Sequence, residues 1–254
     1  MGTSKSYILP KTREYKLTKQ AFTSTIKEFK KSGQLSTNLM GRLVGRLSNN
    51  VINENSNDKS FIRPLSSMLA LIKGITDNNN QYWESTKNDY PQQIQQIYSA
   101  LINSDKNAKD ALEKDGFNLL LYSNPLEFFT ALIRENSNID GLNQEVILTA
   151  LTNVLDNMEI NNFDDLKEAN FEEFVKLLLA ESLFHSFIMR YYEDGTYKRM
   201  SHIEMENCEK QLKEYIENLI SSYDFDNIIS HKNIEQELKD KIEVVLEELK
   251  KMGD

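Results

Sequence analysis

Met1-Gly2-Thr3-Ser4-Lys5-Ser6 places a small residue behind the initiator methionine, the condition for removing Met1 and freeing the α-amine of Gly2. An α-amine titrates near ~7.8 and a lysine near ~10.4, so at pH 7 about one α-amine in seven is neutral, against roughly one lysine in several thousand. The Gly2 nitrogen is therefore the one amine that the chemistry singles out for acylation. The same six residues match the N-myristoylation pattern, serine at position six included. The Asn-, Ile- and Lys-rich usage looks like that of an A+T-rich bacterial genome, where that modification is not expected. The plain alternative is an N-terminal tail with ordinary methionine removal.

The other residue types that carry chemistry are sparse. There is no Gly-x-x-x-x-Gly-Lys phosphate loop, no Gly-x-Ser-x-Gly elbow and no His-Glu-x-x-His pair. His185, His202 and His231 are far apart, and His202 with Cys208 lacks zinc-knuckle spacing. His185 is expected to be a bonded or partly exposed residue of a central helix. Asn136-Ser137-Asn138-Ile139-Asp140-Gly141 resembles the first half of an EF-hand loop, but the position that needs a bidentate Glu is Ile147. A polar turn with Gly141 at positive φ is the expectation there. Tyr90, Tyr98, Tyr122, Tyr191 and Tyr192 are not interleaved with basic residues, so they read as packing groups, not as a base-stacking platform. No nucleophile–base pair or metal cluster can be read. The chain is expected to be no enzyme and to need no cofactor or metal.

Charge is unevenly spread. Residues 1–50 hold ten Lys and Arg against Glu14 and Glu28, a net +8, which leaves −17 for residues 51–254. A basic leading segment on an acidic body fits contact with nucleic acid, an acidic partner or a membrane surface, or folding onto that body. Gly41 and Gly45, four apart, would give the segment a close-packing face. No run of eighteen apolar residues and no apolar signal segment is present. The single cysteine, Cys208, excludes an intramolecular disulfide, and a cytoplasmic setting is expected.

The elements that must position these groups read as helices throughout. Residues 1–17 lack a period and contain Pro10, which reads as a flexible arm. From Thr18, Phe22, Ile26 and Phe29 mark a face that Gly33 can close. Ser36 caps a helix with Leu39, Met40, Leu43, Val44, Leu47 and Val51. Further helices carry Leu65 to Ile75, Ile94 to Leu101, residues 105–114 and, after Asn124-Pro125-Leu126-Glu127, Phe128 to Ile133. A helix over 143–158 follows. Phe171 to Tyr192 is apolar on more than one face and should be central. Ser201 with Glu204 starts the next helix, and Asn233 with Gln236 the last, where Glu235–Lys239 and Glu237–Lys241 pairs are expected. The fold class is all-α: an irregular bundle of about ten helices over 18–254, with a weak subdivision near 136–142.

The Met-Gly-Thr-Ser-x-Ser opening, a short polar arm, a basic helical segment and an aromatic-rich apolar helix in the C-terminal half resemble the QatB-like proteins. These are the B components of bacterial Qat anti-phage defence systems. Met1 to Ser6 carries the close match; the remainder is similarity of layout. The resemblance implies three partners: a KAP-type P-loop ATPase, a QueC-like modifying enzyme and a TatD-like nuclease. It implies nucleic acid only through that complex, and no membrane. It further implies that Gly2 receives a deazaguanine carboxyl group as an amide, with Thr3, Ser4 and Ser6 recognised by the modifying enzyme. Residues 18–52, through Lys27, Lys30, Lys31, Arg42 and Arg46, are then the expected contact for the ATPase or another acidic surface. The competing class is a helical adaptor or nucleic-acid-binding module that uses the basic segment 1–50 without modification.

Overall fold

A computed structural model describes residues 13–55, 61–115, 122, 124–135, 141–191, 197–225, 228 and 233–253. The described residues form twelve α-helices and no strand. The first is α1 (Arg13–Ser32), which buries Phe22, Ile26 and Phe29. Burying those three side chains contributes roughly 5–9 kcal/mol, several times the ~1 kcal/mol of a good cap. Packing, not capping, therefore holds this lysine-rich helix. It begins at Arg13, inside the expected arm, because Tyr15 packs on the core and buried Thr18 accepts a hydrogen bond from Asn50 Nδ2 at 3.0 Å. Gly33, at φ +70°, closes it with its N–H on Phe29 O at 2.7 Å. Only a residue without Cβ takes that conformation at no cost.

Next come α2 (Thr37–Asn55), whose Leu39 N–H is accepted by Ser36 Oγ, and α3 (Ile62–Thr76), buried over most of its circumference. Then α4 (Gln81–Thr86), α5 (Gln92–Leu101), α6 (Lys106–Lys114) and α7 (Pro125–Glu135) follow in short succession. Trp83 of α4 is sandwiched between Tyr98 (ring centroids 4.0 Å apart) and Tyr90 (5.6 Å). The remainder are α8 (Gly141–Asn157), α9 (Phe163–Glu168), α10 (Phe171–Tyr191), α11 (His202–Ser221) and α12 (Ile234–Lys250). α10 lies between α8 and α11, and α12 between α2 and α3. Contacts of α10 with α2 and α3 join the two groups over one hydrophobic cluster.

Several local features differ from the sequence expectations or add to them. α4 and α9 are short helices that the sequence expectations did not include; α9 is fixed by a capping box between Asn162 and Asp165, whose Asn-x-x-Asp spacing is legible in the sequence. Gly141 is not at positive φ but opens α8, and Ile147 is buried in the core; residues 136–140 lie outside the described set. Ser201 and Glu204 form the expected box, whereas the Asn233 side chain makes no cap hydrogen bond. Glu235 accepts from Tyr82 Oη (2.6 Å) and Ser67 Oγ (2.7 Å), because α12 packs on α3 and brings those donors to the carboxylate, while half-buried Lys239 lies 3.9 Å from Glu243. Lys241 donates to Asp224 O. The Gly41/Gly45 face is not offered to a partner. A Cβ on Gly45 would overlap Gly253 N, and would lie 2.7 Å from Gly253 Cα and 2.9 Å from Leu249 O. The chain's own C-terminal turn uses that close approach.

Candidate functional site

Gly2, Thr3, Ser4 and Ser6 lie outside the described residues, and so does most of the expected arm. Lys27, Lys30 and Lys31 are exposed at the end of α1. At 100° per residue, Lys16, Lys19, Lys27, Lys30 and Lys31 fall within an arc of about 120°, opposite the buried face. All five are exposed, and Glu28 falls outside that arc. Lys30 Nζ donates to Arg199 O at 2.9 Å, which ties the Tyr197–Arg199 turn and its exposed Lys198 and Arg199 to the same end of α1. Sequence separation hid these two cations from the expected set. Arg42 is exposed on α2, and Arg46 is half-buried with its backbone beside Gly253. The structure thus gathers three of the five expected contacts on one helix face and sets Arg46 against the C-terminal turn.

The densest ionisable cluster was missed by the sequence reading. Glu181 sits in the middle of α10 with its side chain fully buried, and Lys213 of α11 forms an ion pair with its Oε1. Asn153 of α8 donates to Oε2 at 3.1 Å and also faces His185 Nε2 at 2.9 Å; His185 Nε2 is 3.2 Å from Oε2. Burial pushes the Glu181 carboxyl up. The hydrogen bonds from His185, Lys213 and Asn153, together with the Lys213 charge, outweigh it and hold the group at about 2. A lone acid in an apolar run, with histidine four residues on, was the available signal. Glu209, pushed up by burial, accepts from Tyr197 Oη, and Glu217 is pushed up by burial with Lys213 pulling the other way.

This cluster fixes the register of α8, α10 and α11. It offers no reaction site, because Glu181 is sealed from any substrate. A cleft of about 360 Å³ opens nearby between α10 and α11, lined by Lys176, Leu177, Ala180, Glu217, Asn218 and Ser221 among others. Its wall carries the Glu172–Lys176 ion pair at 2.6 Å and no nucleophile paired with a base. Among the described residues, no three His, Cys, Asp or Glu side chains are placed to hold a metal ion, and no helix is long and apolar enough to cross a membrane.

Cys208 is buried on α11, and burial pushes its thiol up to about 12. The thiolate is the reactive form. The native chain is therefore expected to resist a disulfide-exchange reagent at pH 8 and to react stoichiometrically once unfolded. A fast native reaction would show that α11 opens from the core.

No family model, no curated protein and no solved structure matches this chain.

Proposed function

We propose that the chain is a non-catalytic component of a bacterial anti-phage defence assembly of the QatB-like kind. In this reading it begins at Gly2 after loss of Met1, and its α-amine is the substrate of a QueC-like partner. The Met1–Ser6 opening carries the reading, supported by the reactivity of an α-amine at neutral pH. The neutral Gly2 nitrogen attacks the ATP-activated carboxyl of a deazaguanine. The new amide bond forms as AMP leaves, and the amine's proton passes to solvent. Thr3, Ser4 and Ser6 are the recognition residues. The KAP-type ATPase and TatD-like nuclease complete the partner set. α1 begins at Arg13, eleven residues after Gly2.

The test is intact-mass measurement of the chain from cells that express the full gene set. The expected protein lacks Met1 and carries added mass on Gly2. Gly2→Pro makes the amine secondary and restricts φ, so it is expected to abolish the added mass and phage protection with helix content and melting unchanged. An unmodified Gly2, or full protection by Gly2→Pro, overturns the proposal.

A further inference from the structure

The outward face of α1 has a chemistry of its own, independent of the N-terminal reading. We infer that this face, continued by Lys198 and Arg199, binds the phosphate backbone of duplex DNA without regard to sequence. The five lysines extend along about 22 Å of helix, fifteen residues at 1.5 Å each. The uncharged residues between them in the arc are Gln20 and Thr23, with Ser24 at its edge. Thr23 and Ser24 turn their hydroxyls onto the helix's own carbonyls of Lys19 (2.8 Å) and Gln20 (3.0 Å), which leaves those donors unavailable for reading base edges. The stripe therefore supplies charge and little else, the composition of sequence-independent phosphate contact.

Three features choose duplex DNA among polyanions. Protein interfaces are built on apolar and aromatic anchors and are poor in lysine. This arc has no apolar side chain, and Ile203 at the start of α11 is a single exposed apolar residue, not a patch. Single strands are held by aromatic stacking, and no aromatic residue lies in the arc. An α-helix enters the major groove of B-DNA, about 12 Å wide, but not the narrow major groove of A-form RNA. Of the acids at this end, Glu28 is off the arc, and Glu204 accepts from the Ser201 N–H (2.7 Å) and Oγ (2.9 Å) and lies close enough to Lys30 to offset part of that one charge. The acidic remainder of the chain, −17 over residues 51–254, repels DNA elsewhere and so orients the contact.

The test is fluorescence anisotropy of a labelled mixed-sequence duplex with the full chain, expressed without partner genes, over a salt series. Contact with about four to five phosphates gives a log–log slope near −4, so affinity falls roughly two hundredfold between about 50 and 200 mM salt. Lys27→Gln with Lys31→Gln is expected to weaken binding at least tenfold at low salt and to reduce the slope by about 2. Lys198→Gln with Arg199→Gln is expected to act in the same direction. Lys106→Gln with Lys109→Gln removes the same charge from exposed positions on α6, outside the stripe, and is expected to leave binding within about twofold. Absence of salt-dependent binding by the unaltered chain overturns the inference. So does an equal loss in the α6 variant, or tighter binding to a single strand than to the duplex. If Lys27→Gln/Lys31→Gln leaves duplex affinity intact but abolishes co-purification with the ATPase, the face is a protein-docking surface and the inference fails.

Discussion

Replacing Lys213 with methionine is expected to destabilise the chain by about 3 kcal/mol, the lower end of the range for breaking a buried ion pair. The cost arises on the partner side. Glu181 is fully buried, so without the ammonium its carboxylate keeps only Asn153 and His185, in surroundings that penalise charge. Lys213 itself is about one-third exposed, which lets water replace part of its contribution and favours the lower figure. Combining Lys213→Met with Glu181→Leu is expected to recover most of the loss, because the desolvation penalty disappears with the charge. Urea unfolding measures both, and a Lys213→Met chain within about 1 kcal/mol of the parent would deny the pair its role. The pH profile supplies an independent readout. The folded Glu181 carboxyl lies at about 2, below its ordinary 4.5, so its contribution to stability is present above about pH 4.5 and is lost as pH falls towards 2. That part of the acid limb is expected to flatten in the double variant.

Gly45→Ala is expected to cost about 3 kcal/mol, at the top of the usual range for overpacking. The atoms nearest the added Cβ are all backbone: Gly253 N and Cα, and Leu249 O. Backbone cannot rotate away, so α2 and the C-terminal turn must separate. Gly41→Ala, one turn earlier, meets Tyr215 Oη at 3.0 Å and Met252 Cε at 3.2 Å, both ends of adjustable side chains, and is expected to cost under 1 kcal/mol. Thermal melting of the two variants side by side checks the contrast. Equal shifts would mean that the C-terminal turn is not seated on Gly45.

The apolar spacing of Phe22/Ile26/Phe29, of Leu43/Val44/Leu47/Val51 and of Ile234/Leu238/Ile242/Val245/Leu249 was enough to define α1, α2 and α12 and their inward faces, all of which are buried. Helical period and burial are the same fact seen in one and three dimensions, so these elements were legible. The short helices α4 and α9 were not read as helices, since six residues show no period; Trp83 and Phe163 hold them through aromatic contacts made elsewhere in the chain. The start of α1 was misplaced for a related reason: Tyr15 and Thr18 carry their burial through tertiary neighbours, not through a local pattern.

The sequence by itself determined the all-α class, the main helix faces, and the caps at Asn124 and Ser201. Each follows from local periodicity or local hydrogen bonding, neither of which needs a distant residue. Only the tertiary structure decided which charges meet. It joined Lys30 to the Arg199 turn across 169 residues, seated Gly253 on Gly45, and turned Glu181 from one acid in an apolar run into the ion-paired centre of three helices. Contacts between positions remote in sequence depend on how helix faces dock, and docking is set by the whole packed core, which no local window contains.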